Sequence, residues 1–325
     1  MSLSYSHLYI HVHDLITGFV TEYLDSVEQQ IALDFTFQTL ISCWMQVSLC
    51  DYSCAFVCVL LLISLYSFCA GPQCYNHPKE IFITHTHGDH IACLPFTLIG
   101  ADEQSGPTHI HAPAAAQSHI MKYINALFEA SAMAPIEELL MGHDEDIYAY
   151  HGYDTPTTFR TTCKNSLLEI SVVLCDHSIP TISYCFSEVK KKLKAEYKDL
   201  PGKDIAKLRN SGVDVTEEVL KLAFAYICDT SIQVLTDYSE ILRYPVIFIE
   251  CTFLYDEERE NAAATKHIHW EDLKPFVQAN QSSLFVLIHF SLRYKDAEIL
   301  DFFKKEQKEN DGITNIKVWA GDTSV

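Results

Sequence analysis

The sequence predicts an α/β protein in which short strands run directly into histidines and acids, and three observations carry that prediction. An apolar run of strand type, Ile81-Phe82-Ile83, is followed at once by His85, His87, Asp89 and His90 in the stretch IFITHTHGDH. Four more apolar runs of strand length reach polar residues of the same kind. They are Leu168 to Leu174 before Cys175-Asp176-His177, Phe224 to Cys228 before Asp229, Val246 to Cys251 around Glu250, and Leu284 to Ile288 before His289. Between them lie stretches with helical spacing of apolar residues: Ile120, Ile124 and Leu127; Leu273, Phe276 and Val277; Ala297, Leu300 and Phe303.

On an extended segment His85 and His87 share one side, and a turn at Gly88-Asp89 folds Asp89 and His90 back toward them. Imidazole and carboxylate at this density suit two divalent ions of borderline hardness, zinc first, then manganese or iron. A lone HxH pair on a strand is more often structural. Four ligand-type residues within His85–His90 argue for a metal.

This motif resembles the HxHxDH signature of the metallo-β-lactamase superfamily, and the rest of the chain from about 79 to 320 narrows the likeness to its ribonuclease Z branch. LEISVVLCDHSIPTISYCFSE (168–188) is similar to the branch's single-histidine strand and the strand that follows it. FAYICDTS (224–231) resembles its strand-end Asp motif, FIECTF (248–253) its Glu motif, and VLIHFSLRY (286–294) its last ligand motif. The resemblance implies an αββα sandwich, two mixed sheets face to face with helices outside, in a single domain over 1–325. It implies that His85, His87 and His177 hold one ion, that Asp89, His90 and His289 hold the other, and that Asp229 bridges. It further implies Asp89 as the group that orients or deprotonates the nucleophile. His267 would be the donor to the leaving oxygen, steadied by Glu250. The family's His-Ser-Thr sequence is here His267-Ile268-His269, matched by its spacing to Glu250 and His289.

Forty-three acids against 23 bases give a formal charge of −20, which argues against broad nucleic-acid binding through a basic surface. Only Lys79 and Lys122 are basic before Arg160, so any RNA contact must use the second half of the chain or the metals. The 12 cysteines form no CxxC pair and often sit in apolar runs, which fits a reducing intracellular compartment, cytoplasm or nucleus.

From the N-terminus, His11, His13 and Asp14 form an HxHD string that reads as an edge-strand pair, because the ligand set lies elsewhere. Ile31-Ala32-Leu33-Asp34 resembles the family strand before the core, with Phe35-Thr36 where the family has glycine. About 36–78 looks like an insertion. Its segment 54–70 is almost continuously apolar, and 17 residues is at the lower limit for a membrane helix. No Lys or Arg precedes Lys79, so membrane contact is disfavoured. A buried helix, a segment foreign to the fold and ordinary core stay open. Cys50, Cys54 and Cys58 read as packing, and Cys93 stands where the family has glycine.

THIHAP (108–113) predicts a strand leading into a helix, with His109 and His111 structural. Residues 135–158 predict an acidic loop with His143 and His151 solvated. Asp176 is expected beside the site and not on a metal. Beyond Glu188 the chain turns basic, VKKKLKAEYKDL, and is expected to be helical. It is similar to the root of the branch's RNA-gripping arm, with the glycine-rich arm itself missing. Ile316–Trp319 is expected at a sheet edge.

The resulting expectation is a metal-dependent phosphodiester hydrolase, a ribonuclease Z-like endoribonuclease acting on precursor tRNA 3′ ends. The alternative is a hydrolase of small esters, thioesters or cyclic nucleotides on the same fold. Family members resemble dimers, so a homodimer is a further expectation.

Overall fold

The computed structural model of the chain describes residues 80–92, 94–98, 108–131, 133, 148–163, 166–310 and 312–320. The His11-His13-Asp14 string, the Ile31 to Asp34 run, the apolar segment 54–70 with its cysteines, Cys50, Cys93 and His143 lie outside these residues. Among the described residues no helix is long and apolar enough to cross a membrane.

Among the described residues ten strands form two sheets. The smaller orders β1 (Glu80–Phe82), β2 (Thr108–Pro113) and β3 (Tyr148–Tyr153) side by side, all parallel. The larger contains β4 (Thr157–Cys163), β5 (Ser166–Cys175), β6 (Thr181–Leu193), β7 (Thr216–Ile227), β8 (Val246–Glu250), β9 (Leu284–Ile288) and β10 (Ile316–Val318). Its order is β10-β9-β8-β7-β6-β5-β4, parallel from β10 to β7 and antiparallel from β7 to β4. Helices cover the outer faces, so the architecture is the αββα sandwich.

Strand alternation builds the layers. Ile81 and Ile83 point outward from β1 and pack with Ile110, Leu94 and the Ile120, Ile124 and Phe128 face of the helix Gln117–Ala130. Phe82, between them, points inward and packs with Leu168, Ile170, Val172, Ile182, Tyr184 and Phe186 of the larger sheet. The other face of that sheet is covered by helices Trp270–Ala279 and Asp296–Glu309 through Trp270, Leu273, Val277, Ile299 and Phe303. Phe128 is buried where Leu127 was expected, because the helix rotates its stripe by one residue.

Three hydrogen bonds fix β2 and the end of β1 against the larger sheet. The Tyr184 hydroxyl donates to the carbonyls of both Ile83 and His111 at 2.9 Å, and Ile182 N–H donates to Thr84 O at 2.9 Å. They hold the start of the HTHGDH stretch beside β6.

Three local expectations are corrected. Residues 148–153 and 157–158 are strand and not loop, and His151 is half-buried and bonded to His109 (Nδ1 to Nε2, 2.9 Å) instead of solvated. The basic stretch after Glu188 continues β6 to Leu193 and is not helical there. Lys191 lies opposite Glu218 and Lys192 opposite Glu217, so cross-strand pairing with β7 overrides the helical composition. The helical part begins only at Ala195.

A buried polar group ties the two sheets together. His111 Nε2–H donates to Glu80 Oε2 at 2.7 Å, Tyr153 O–H donates to His111 Nδ1 at 2.8 Å, and Thr161 of β4 donates to Glu80 Oε1. The His111 ring stacks against Phe82 and Phe159 at centroid distances of 4.8 and 4.5 Å. Burial alone would raise the Glu80 pKa; the bonds from His111 and Thr161 more than reverse this and lower it. Its contribution to stability is therefore complete above the ordinary carboxylate range and is lost as pH falls through the lowered value. Glu80→Ala would leave His111 Nε2–H and the Thr161 hydroxyl buried without an acceptor, a cost of about 3 kcal/mol in urea unfolding at neutral pH. Glu80→Gln keeps an acceptor and should cost well under half of that. Equal losses from the two variants would contradict the assignment.

Candidate metal centre

Strand ends and the loops after them bring seven donor side chains to one rim of the sandwich. β1 supplies His85, His87, Asp89 and His90 through an extended segment and the short helix Gly88–Ile91. β5 ends at Cys175 and delivers His177; β7 ends at Ile227 and delivers Asp229; β9 ends at Ile288 and delivers His289. His289 adopts φ +59°, a left-handed conformation unusual for a side chain with a Cβ, as strand β9 turns its last residue into the centre.

One group comprises His85, His87, His177 and Asp229. His85 Nε2 lies 3.0 Å from His87 Nδ1 and 3.4 Å from Asp229 Oδ2. His177 Nε2 is 3.4 Å from His87 Nδ1 and 3.7 Å from the same Asp229 oxygen. Donors at 2.0–2.1 Å from one tetrahedral ion stand about 3.3–3.4 Å apart, so these spacings fit a single ion of zinc size. The second group is Asp89, His90 and His289. Asp89 Oδ2 is 3.5 Å from His90 Nε2 and 3.7 Å from His289 Nε2. Asp229 completes this group too, with Oδ1 3.3 Å from His289 Nε2 and Oδ2 3.6 Å from His90 Nε2. His90 Nε2 is buried with no hydrogen-bond partner, as a lone pair awaiting a cation would be. The donor set and this orphaned atom fit a two-metal architecture.

The electrostatics agree with that fit. Burial drives the His85 pKa down to about 4, which keeps its imidazole neutral and able to donate a lone pair. Burial would raise the Asp229 pKa, but the His85 hydrogen bond and the neighbouring His289 and His90 hold it well below the carboxylate range. Asp89 is held down in the same way, first by the neighbouring His289 and then by His90.

Outer partners orient the rings, as they commonly do around metal ligands. His85 Nδ1 meets Thr84 Oγ1 at 3.1 Å, His177 Nδ1 donates to Lys266 O at 3.3 Å, and His289 Nδ1 meets Thr252 Oγ1 at 3.0 Å. The Thr252 hydroxyl in turn donates to Glu250 Oε2 at 2.6 Å. These partners were missed in the sequence; only Thr84, adjacent to His85, and Thr252, at the end of the Glu motif, carried a local hint.

Glu250 is fully buried and its two oxygens are saturated: Thr230 N–H at 2.7 Å, Ile268 N–H at 3.1 Å, the Thr252 hydroxyl, and His267 Nδ1–H at 2.9 Å. His267 stands over the centre, its ring 4.8 Å from that of His177 and 5.4 Å from that of His289. Burial would lower the His267 pKa; the bond to Glu250 and its charge outweigh this and raise it. His269 is different. It is fully buried, with Nε2–H donating to Tyr255 O at 2.9 Å and Nδ1 accepting from Glu271 N–H at 3.1 Å, which caps the helix Trp270–Ala279. Asp176 also stays outside: it pairs with Lys266 Nζ at 2.7 Å and accepts from the Ser231 hydroxyl at 3.3 Å.

Fold and centre together define a metal-binding hydrolase of the metallo-β-lactamase superfamily. No family profile matches the chain. It is 30% identical over 226 residues to tRNase Z TRZ1 of Arabidopsis thaliana, covering 68% of this chain and 75% of that protein. It is 28% identical over 235 residues to the chloroplastic tRNase Z TRZ2 of the same plant, covering 71% of this chain and 62% of that one. Among solved structures, human tRNase Z, short form, aligns over 76% of this chain and 78% of its own at 17% identity and a TM-score of 0.42. On the first of these relations the chain belongs to the tRNase Z family.

Proposed function

We propose that the protein is a dinuclear metal-dependent phosphodiesterase, a ribonuclease Z-like endoribonuclease that cleaves the 3′ ends of precursor tRNA. His85, His87, His177 and Asp229 would hold one ion, and Asp89, His90, His289 and Asp229 the other, with zinc favoured by the imidazole-rich set over manganese or iron. When bound, two such ions lower the pKa of a shared water and take up charge from the attacked phosphate. The observation that carries the reading is the His267–Glu250 pair standing over two donor groups that share Asp229.

Each residue has a derivable part in the reaction. Asp89, its side chain 50% exposed, reaches outward from the centre and can orient the attacking water or take its proton. Glu250 is a positioning residue: it holds His267 Nδ1 and favours the imidazolium. His267 Nε2 is then the group that gives a proton to the leaving ribose oxygen or steadies charge on phosphorus. The raised pKa sets the sign of the pH profile. Turnover that needs protonated His267 persists above its ordinary range and falls as pH rises through the raised value.

The second reading places the same chemistry on small esters, thioesters or cyclic nucleotides. It is favoured by the neutralisation of the basic stretch, where Lys190 pairs with Glu188 and Lys191 and Lys192 face Glu218 and Glu217. The tRNA relatives supply the RNA side of the argument. We further propose a single domain with an insertion at about 36–78, a homodimer, and work in a reducing compartment, where the buried free thiols Cys185, Cys228 and Cys251 would stay reduced.

Cleavage of precursor tRNA, a chromogenic phosphodiester and a thioester by the same metal-loaded preparation tests these readings. The endoribonuclease reading expects tRNA cleavage with the phosphodiester second and the thioester unreactive. Reversal of Lys190, Lys191, Lys192 and Lys194 to Glu should raise KM for RNA, make binding less salt-dependent, and leave the small phosphodiester unchanged. Thioester turnover far above the other two would replace the first reading by the second.

A further inference from the structure

The four histidines that turn Nε2 toward the centre have a common arrangement, and one of them has an unusual outer partner. His85, His177 and His289 each rest Nδ1 on an oxygen, at 3.1, 3.3 and 3.0 Å. His90 presents Nε2 to Asp89 and Asp229 in the same way, but its Nδ1 meets Cys228 Sγ at 3.7 Å. That sulfur is fully buried, and its S–H lies 3.2 Å from Asp229 Oδ1, the oxygen that faces His289. The Tyr226 hydroxyl also donates to the sulfur, at 3.9 Å, and Cys228 N–H donates to Ser183 Oγ at 3.2 Å, which holds the backbone that carries the thiol beside β6.

We infer that Cys228 is a positioning residue for the second ion: its thiol accepts from His90 Nδ1–H, donates to Asp229 Oδ1, and so aims one terminal and one bridging ligand together. A thiol is both a weak donor and a weak acceptor, so one side chain can serve both ligands. The sulfur meets the His90 ring at Nδ1, the nitrogen turned away from Asp89 and Asp229, so it serves as a partner of ligands and is not one itself. A second observation supports the placement: His90 Nε2 is buried and without a hydrogen-bond partner, so Cys228 fixes a ring whose other nitrogen has only the centre to face. The thiol touches His90 but none of His85, His87 or His177. On Asp229 it meets Oδ1, the oxygen that faces His289, and not Oδ2, which faces His85 and His177, so its loss should loosen the second ion and spare the first. This inference rests on the two-ion reading of the centre.

The test is chelator competition on the full chain with zinc, together with absorption spectra of the cobalt-substituted protein, for wild type, Cys228→Ala and Cys228→Ser. The alanine variant should bind the first ion as wild type does and the second about 10–100-fold more weakly, the range for loss of an outer partner. Serine, which keeps both a donor and an acceptor, should restore the second affinity to within a few-fold. Wild-type protein loaded with cobalt should show no sulfur-to-cobalt charge-transfer band, and the alanine variant should alter only the visible bands that appear with the second equivalent. Unchanged second-ion affinity in the alanine variant would overturn the inference, as would a sulfur-to-cobalt band in the wild type. Should the alanine variant not fold, the wild-type cobalt spectrum and the serine variant decide. A serine variant that loses the second ion outright also overturns the proposal. Wild-type protein that takes up fewer than two ions would instead defeat the two-ion reading itself.

Discussion

Asp229→Asn is expected to lose both ions. The carboxylate reaches the two groups at once, with Oδ2 3.4 Å from His85 and 3.7 Å from His177 and Oδ1 3.3 Å from His289. The amide keeps the shape but removes the negative charge and one acceptor oxygen, so neither ion has its shared ligand. Affinity for each should fall by more than about 100-fold, beyond the range for losing an outer partner. Elemental analysis after dialysis checks this, with thermal unfolding of the metal-free form as a control that the variant folds. Asp89→Asn should weaken only the second ion, because Asp89 approaches only His90 and His289. If Asp229→Asn kept the first ion at wild-type affinity, Asp229 would not be the bridge.

The residues that converge at the centre were marked in the sequence partly by strand ends and partly by the resemblance of the motifs that follow them. An apolar run fixes where a strand stops, and His or Asp just past it can only project at the sheet's rim. The fold was legible for the same reason: Ile81-Phe82-Ile83 alternates between helix-facing and sheet-facing environments, and the observed packing follows that alternation. What could not be read were pairings made across the chain. Lys190 to Lys192 have the composition of a solvated helix, yet β7 offers Glu217, Glu218 and Val219 in register, and tertiary pairing decides. His151 sits in an acid-rich stretch with every sign of a loop, and becomes a strand residue because β2 supplies a parallel edge for it. The outer partners of the centre are two threonines, a cysteine and a backbone carbonyl, residue types with little signature until the strands are assembled. For Cys228 the one local clue was its place beside Asp229.

His267→Ala is expected to separate chemistry from metal binding. The imidazole contacts no metal donor through a hydrogen bond; it is held by Glu250 and lies over the rings of His177 and His289. Metal content should stay at the wild-type value while turnover of a phosphodiester falls by ~10²–10⁴-fold, the range for losing a positioned proton-transfer group. The alkaline fall in the wild-type pH profile should disappear with it. His269→Ala is the comparison, and the structure gives it a different cost. That ring caps a helix and bonds to Tyr255 O, so the variant should lose about 1 kcal/mol of stability and keep most of its turnover. Equal losses of turnover in the two variants, at equal metal content, would remove His267 from the reaction.

Stepwise zinc addition to metal-stripped protein, with phosphodiester cleavage assayed at each step, tests most directly whether the proposed phosphodiesterase needs two ions. The expected result is negligible activity without metal and saturation as the second ion per chain binds. Full activity in the stripped protein, or saturation with bound zinc near zero, would contradict it.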